Sequence, residues 1–173
     1  MRIATTPEDH RIAWLAALAI AIHVVEASLP SPLPGVKPGL ANVITVATLI
    51  LFGWRTAVWV SLLRVLAGSL IVGTFLTPTF MLSATGAVCA LLALGLGRLL
   101  PGRGLSAVGL SVLAALAHMA GQFVAAYLLF IPHAALWRLL PVLMTTALIF
   151  GLVSGTIAAA MLRRLPDISH ARG

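Results

Sequence analysis

Charged residues are scarce in this sequence. Only 9% of its 173 residues are charged, whereas 61% are hydrophobic and the mean hydropathy is +1.10. A soluble domain carries about a quarter charged residues, so this composition predicts a chain that lies in a lipid bilayer. A helical span takes about 20 apolar residues, so six spans with short connections would use up the length and leave no room for a second, water-soluble domain.

Cysteine and clustered charge are also lacking. Cys89 stands alone in an apolar run, which excludes a disulfide framework or a paired-cysteine metal site within one chain. We interpret it as a buried thiol without special chemistry. The net charge is +7, but the 11 basic residues are scattered among apolar runs, so we expect no nucleic-acid binding. No Walker A motif occurs, so any ATP-driven step would require partner subunits.

Proline, glycine and arginine divide the chain into six apolar runs. We predict an all-α membrane protein, a six-transmembrane-helix bundle with spans at about 11–29, 39–53, 55–73, 79–100, 105–130 and 135–163. The second span is the shortest, and we expect it to be tilted, broken or only partly inserted. The first run lacks a small-x-small cleavage site, so we expect a retained span rather than a signal peptide. The predicted membrane domain covers 10–165, between cytoplasmic tails at 1–9 and 166–173.

The distribution of lysine and arginine predicts the orientation of these spans. With the N-terminus inside, eight basic residues fall on inner segments and two on outer ones. The inner ones are Arg2, Arg11, Arg55, Arg98, Arg103, Arg163, Arg164 and Arg172, and the outer ones are Lys37 and Arg138. The positive-inside rule therefore places both termini in the cytoplasm and the 30–38 connection outside. We expect a multi-pass protein of the bacterial inner membrane.

One arginine lies inside a span. Arg64 follows Arg55 by nine residues, about 14 Å into the membrane at helical rise. Arginine at mid-span costs about 3 kcal/mol on insertion scales and usually faces a partner or a wet cavity. Of the four acidic residues, only Glu26 lies within a span, about 9 Å higher. The sequence leaves open a structural Arg64–Glu26 ion pair or contacts of one or both groups with a polar or anionic ligand.

Further polar residues fall in the outer half of the membrane. His118 and Gln122 are four residues apart on one helical face, and His23 is three residues from Glu26. Asn42 reaches a comparable depth from the outer side. We therefore predict a pocket with ligand-binding residues Glu26, Lys37, Asn42, Arg64, His118 and Gln122. The alternative is that these groups only form hydrogen bonds between helices.

The segment "PSPLPGVKPG" separates the first two spans. Each proline fixes φ near −65° and favours extended backbone before it, so this segment is a poor helix and a stiff turn. We expect it to cap the pocket and hold Lys37 over an anionic or electron-rich ligand. The alternative is a simple connector with an interfacial lysine.

Small residues recur at every fourth position in two spans, which lets helices approach closely. We expect intramolecular packing in the sixth span and either packing or partner docking in the first. Thr145 and Thr146 are expected to pack or to bond to their own helix backbone. The repeated positions are Gly151, Gly155 and Ala159 in the sixth span and Ala13, Ala17 and Ala21 in the first.

The run "EASLPSPLPGVKPGLANVITVATLILFG", with the Arg64 helix and "GSLIVGTF", resembles the Gx transporter family, also labelled heptaprenyl diphosphate synthase component I. The resemblance covers most of the chain. This family is similar to the S components of energy-coupling factor vitamin transporters. The resemblance implies six helices, both termini inside, and an outer first loop over the ligand. It also implies an alanine-rich first helix that docks on the energising subunit, and Ala13, Ala17 and Ala21 match that pattern here.

The resemblance implies the substrate-binding component of a small-molecule, vitamin-like uptake transporter, which captures its ligand outside. Its partners would be a coupling membrane protein and cytoplasmic ATPases. Alternatives are a membrane partner of a flavin- or quinone-linked electron-transfer system and, more weakly, an accessory subunit of prenyl diphosphate synthesis. We expect no cofactor and no enzyme activity. Prenyl diphosphate synthesis needs aspartate clusters that hold magnesium, and the two aspartates, Asp9 and Asp167, lie in the predicted tails.

Overall fold

The computed structural model describes residues 6–28, 39–99 and 104–164, and within them the chain is all helical. This confirms the all-α class. The elements are α1 (Pro7–Ser28), α2 (Leu40–Phe52), α3 (Trp54–Val72), α4 (Pro78–Gly97), α5 (Ala107–Leu129), a 3-10 helix (Ala134–Leu139) and α6 (Leu140–Arg164).

Five helical segments are long and apolar enough to cross a membrane, namely α1, α3, α4, α5 and the continuous stretch 134–164. By contrast, α2 has 13 residues and is about 20 Å long, which is less than the roughly 30 Å hydrocarbon core. The second apolar run is therefore the shortest of the six α-helices, as predicted. These lengths and compositions indicate a multi-pass membrane protein.

The first helix begins earlier than the predicted span. The Thr6 hydroxyl accepts a hydrogen bond from the Asp9 backbone N–H at 3.2 Å, and the Asp9 carboxylate accepts one from the Thr6 N–H at 2.8 Å. This reciprocal pair is a capping box, and Pro7 occupies the first helical position, where its missing N–H costs nothing. Hence α1 starts at Pro7, inside the segment predicted as a tail.

The sixth predicted span begins with a different kind of helix. Residues Ala134–Leu139 form a 3-10 helix, and the α-helix starts only at Leu140. Pro141 has no N–H, and its ring would clash with the carbonyl of Trp137 in a continuous α-helix. The predicted start at 135 is therefore five residues too early for an α-helix.

The shortest α-helix, α2, occupies the centre of the bundle. α2 contacts α1, α3, α5 and α6, while the remaining neighbours are α1 with α3, α3 with α4, α4 with α5 and α5 with α6. Ala41 and all residues from Val43 to Leu49 are buried. The other helices expose large apolar side chains on their outer faces, which is the pattern expected of helices that contact lipid.

Glycines allow α5 and α6 to pack backbone against backbone. A Cβ on Gly151 would lie 2.9 Å from the Cα of Val112, and one on Gly155 would lie 2.7 Å from the Cα of Val108. The predicted intramolecular packing of the sixth span is therefore confirmed. Along α1, in contrast, the repeated alanines are exposed on the outside of the bundle: Ala13, Ala17 and Ala21.

One end of the bundle is filled with apolar side chains. They come from the last part of α2 and α4 and the first part of α3 and α5. We call this set the inner cluster: Val46, Leu49, Ala57, Ala90, Leu94, Leu110 and Ala114, with Trp54 packed against it. Trp54 lies against Gly95, where a Cβ would stand 2.9 Å from the indole ring. Apolar side chains from four helices therefore pack together at this end of the bundle.

Candidate functional site

A cavity of about 490 Å³ lies towards the other end of the bundle, and all six α-helices line it. Most of its residues come from the second half of α1, α3 and α5 and the first half of α2, α4 and α6. Because successive helices run in opposite directions, these parts meet at the same end. Most of the wall's surface is apolar, and polar groups are set into it, the usual pattern of small-molecule sites. The polar residues are His23, Glu26, Asn42, Arg64, Thr79, Ser83, His118, Gln122 and Ser154.

The structure brings together five of the six residues predicted to bind a ligand. Glu26, Asn42, Arg64, His118 and Gln122 all line the cavity. The predicted convergence of polar side chains from separate helices is thus confirmed for these residues, while ligand binding itself stays a prediction. Lys37 and the proline-rich segment that was expected to cap the pocket lie outside the described residues.

Glu26, near the end of α1, caps the N-terminus of the central helix α2. Its side chain is 4% exposed, and its carboxylate accepts hydrogen bonds from the backbone N–H of Leu40 at 2.5 Å and of Ala41 at 3.3 Å. The N-cap residue of α2 is Gly39, which offers no side-chain oxygen. A carboxylate at a helix N-terminus satisfies unpaired N–H groups and interacts favourably with the helix dipole. Glu26 therefore fixes α2 to the end of α1.

The Arg64–Glu26 ion pair, one of the two alternatives left open by the sequence, is not formed within the described residues. Both oxygens of Glu26 are engaged at the N-terminus of α2, and its charge acts on Arg64 only through space. The Nε of Arg64 is buried and has no hydrogen-bond partner in the described part of the chain. The ion-pair alternative is wrong because backbone N–H groups of α2 take up the carboxylate.

Two glycines provide space for the histidines of the wall. A Cβ on Gly86 of α4 would lie 2.8 Å from Nε2 of His118 and 2.9 Å from Cγ of Gln122. A Cβ on Gly68 of α3 would lie 2.7 Å from Cδ2 of His23. Any larger residue at either position would displace these side chains, so the two glycines help to set the shape of the cavity.

Three hydroxyl residues of the wall were missed by the sequence reading: Thr79, Ser83 and Ser154. Single hydroxyl residues are common in membrane helices, where they often bond to their own backbone. Thr145 and Thr146 do so here, each donating a hydrogen bond of 2.8 Å to a carbonyl of α6, as predicted. Ser154 lines the cavity and also donates a hydrogen bond of 3.2 Å to the Gly151 carbonyl, so helix packing decides which hydroxyl residues reach the cavity.

The polar groups of the wall suit binding. They comprise a guanidinium group, imidazoles, amides and hydroxyls, which are hydrogen-bonding groups of the kind that orient small ligands. No group of three His, Cys, Asp or Glu residues that could hold a metal ion occurs in the described ranges. Cys89 is half-buried and packs against Gly121, where a Cβ would lie 2.6 Å from the sulfur; it does not line the cavity.

Comparison with known proteins relates the chain to one protein family. The family model described as Heptaprenyl diphosphate synthase component I matches residues 15–161. This range contains all of α2 to α5, most of α1 and α6, and every residue that lines the cavity. No curated protein and no solved structure matches the chain. Since the match extends over most of the sequence, the protein belongs to the heptaprenyl diphosphate synthase component I family.

Proposed function

We propose that this protein is the substrate-binding integral membrane component of an uptake transporter for a small, vitamin-like molecule. The observation that carries the proposal is a polar-lined cavity confined to one end of the bundle. Hydrogen-bonding groups from six helices meet around 490 Å³ of space, while the inner cluster packs apolar side chains at the other end. A channel needs a continuous polar path, whereas a cavity confined to one end suits capture of a ligand.

The proposal includes a topology of six spans with both termini in the cytoplasm of a bacterial inner membrane. The excess of basic residues on the inner segments supports this orientation. It places the cavity in the outer half of the membrane, where it receives ligand from outside. The short α2 is compatible with six spans, because α1, α3, α5 and α6 surround it and shield its ends from lipid.

Transport would require partner subunits. The sequence carries no nucleotide-binding motif of the Walker type, so we assign the energy source to cytoplasmic ATPases and their coupling membrane protein. The exposed alanines of α1, Ala13, Ala17 and Ala21, are the proposed docking face. Small side chains there would let a partner helix approach closely.

A second candidate is a non-catalytic accessory subunit of prenyl diphosphate synthesis. The family's name, heptaprenyl diphosphate synthase component I, favours it. In that case the mostly apolar cavity would hold part of an isoprenoid rather than a water-soluble metabolite. The two functions therefore predict different contents for the same cavity.

The compounds that co-purify with the protein test these functions. We would purify the full chain in detergent, release bound compounds by denaturation and identify them by mass spectrometry. The matched variants are Leu82→Trp, which fills the cavity, and Leu92→Trp, which lies on the same helix and is 60% exposed. A water-soluble metabolite present in wild type and Leu92→Trp but lost from Leu82→Trp is the expected result.

Other contents would overturn the proposal. An isoprenoid lost from Leu82→Trp would favour the accessory subunit, and a quinone lost in the same way would favour a partner of electron transfer. Retention of the metabolite by Leu82→Trp would show that it binds elsewhere.

A further inference from the structure

We infer that the ligand is a monocarboxylate with an apolar body and that Arg64 binds its carboxylate group. This inference rests on the proposed function and names the chemical class of the substrate. Its basis is the charge of the cavity wall and one buried donor atom, Nε of Arg64, that has no hydrogen-bond partner among the described residues.

The first step concerns the Nε atom of Arg64, which lacks a hydrogen-bond partner among the described residues. Arg64 lines the cavity, and its Nε is buried without a hydrogen-bond partner among the described residues. A buried charged donor that lacks a partner is costly, and one left unpaired in a native structure requires an explanation. A ligand acceptor within the cavity supplies that explanation.

The second step excludes the acidic residue in the wall as the permanent partner. Glu26 is the one acidic residue among the described residues that line the cavity. Its carboxylate already accepts hydrogen bonds from Leu40 and Ala41 at the start of α2. Arg64 therefore remains available to an external anion, even though Glu26 offsets part of its charge through space.

The third step limits the charge of the ligand. Arg64 is the one lysine or arginine among the described residues that line the cavity. A guanidinium group matches a carboxylate with two parallel hydrogen bonds. A diphosphate carries more negative charge and usually requires several cationic groups or a magnesium ion. The described wall therefore fits one negative charge.

The fourth step concerns the remainder of the ligand. Most of the wall's surface is apolar, and Val65, Leu82, Met119 and Phe150 are its largest purely hydrophobic contributors besides Ile131. The amides of Asn42 and Gln122 add neutral hydrogen-bonding groups to the wall. A molecule with one carboxylate on an aromatic or aliphatic body satisfies both parts of the wall.

Pairs of acids and their amides test the inference, because each pair differs by little except charge. The probes are benzoate and benzamide, 2-naphthoate and 2-naphthamide, and indole-3-acetate and indole-3-acetamide, with geranyl diphosphate as a polyanionic apolar probe. Binding to the detergent-purified full chain is measured from the shift in unfolding temperature across a concentration series. We expect at least one acid to bind about tenfold or more tightly than its amide, as for a charge-assisted hydrogen bond.

Arg64→Gln should remove the preference for the acid, and Arg64→Lys should keep a weaker one. The matched control is Arg55→Gln, an exposed arginine on the same helix, which should bind like wild type. If Arg64→Gln does not fold, the weakened preference of Arg64→Lys relative to Arg55→Gln carries the test.

Three results would overturn the inference. Equal binding of acid and amide would refute the anionic class but leave the proposed capture of a small molecule intact. Tighter binding of geranyl diphosphate than of any acid, dependent on Arg64, would refute the single charge and support the accessory subunit. If no acid stabilises wild type while the co-purification experiment yields a metabolite, the class is wrong and the proposed function stands.

Discussion

Replacing Glu26 by alanine should destabilise the protein through the central helix. The substitution leaves the N–H groups of Leu40 and Ala41 without acceptors in a buried position, where Glu26 is only 4% exposed. Loss of a cap costs about 0.5–2 kcal/mol, and a hydrogen bond to a charged group contributes about 1.5–3 kcal/mol. The substitution also removes the electrostatic attraction between Glu26 and Arg64, which destabilises the protein further. We expect the free energy of unfolding to fall by about 2–4 kcal/mol.

The measurement is equilibrium unfolding in mixed detergent and SDS micelles, followed by tryptophan fluorescence. Glu26→Gln retains one acceptor oxygen and should lose about half as much stability as Glu26→Ala. The control is Glu8→Ala on the same helix, where the side chain is exposed and the expected change is within about 0.5 kcal/mol. If Glu26→Ala were no more destabilising than Glu8→Ala, the assignment of Glu26 as the cap of α2 would be refuted.

Two further predictions concern glycines that differ in the space around them. Gly155→Ala should destabilise the protein by about 1–3 kcal/mol, because the added Cβ overpacks against α5. Gly109→Ala should be neutral or stabilising in the same unfolding assay, because its Cβ would make only ordinary contacts. Gly86→Ala should strongly reduce the amount of co-purified ligand and only slightly reduce the free energy of unfolding, because it displaces His118 at the cavity. Gly95→Ala should strongly reduce the free energy of unfolding and only slightly reduce the amount of ligand, because it presses on Trp54, which packs against the inner cluster. The opposite ranking of either pair would contradict these packing assignments.

Most of the fold could be predicted because apolar run length dominates helix formation in a membrane protein. The boundaries that were missed depend on local chemistry. The capping pair Thr6 and Asp9 extends α1 towards the N-terminus, and its "TPED" signature is readable in the sequence. Pro141 delays the start of α6 and could also have been recognised, since proline cannot occupy a helix interior without breaking a hydrogen bond.

The candidate site was predictable in its members but not in all of its contacts. Depth along each span brought Asn42, His118 and Gln122 to a comparable level, and the structure places them around one cavity together with the deeper Arg64. The role of Glu26 was not predictable, because it depends on where the first turn of α2 lies relative to the end of α1. Hydrogen-bond partners 14 and 15 residues apart follow from tertiary packing rather than from a helical repeat.

The size of the cavity explains why its wall must carry polar groups. A partly open, polar-lined space of about 490 Å³ is large enough to hold water when no ligand is bound. Buried water needs two to four hydrogen-bonding partners, and Asn42, Arg64, His118 and Gln122 offer them along the wall. The same donors that hold water in the free protein are then available to a ligand that displaces it, and binding gains most where that ligand reproduces their hydrogen bonds.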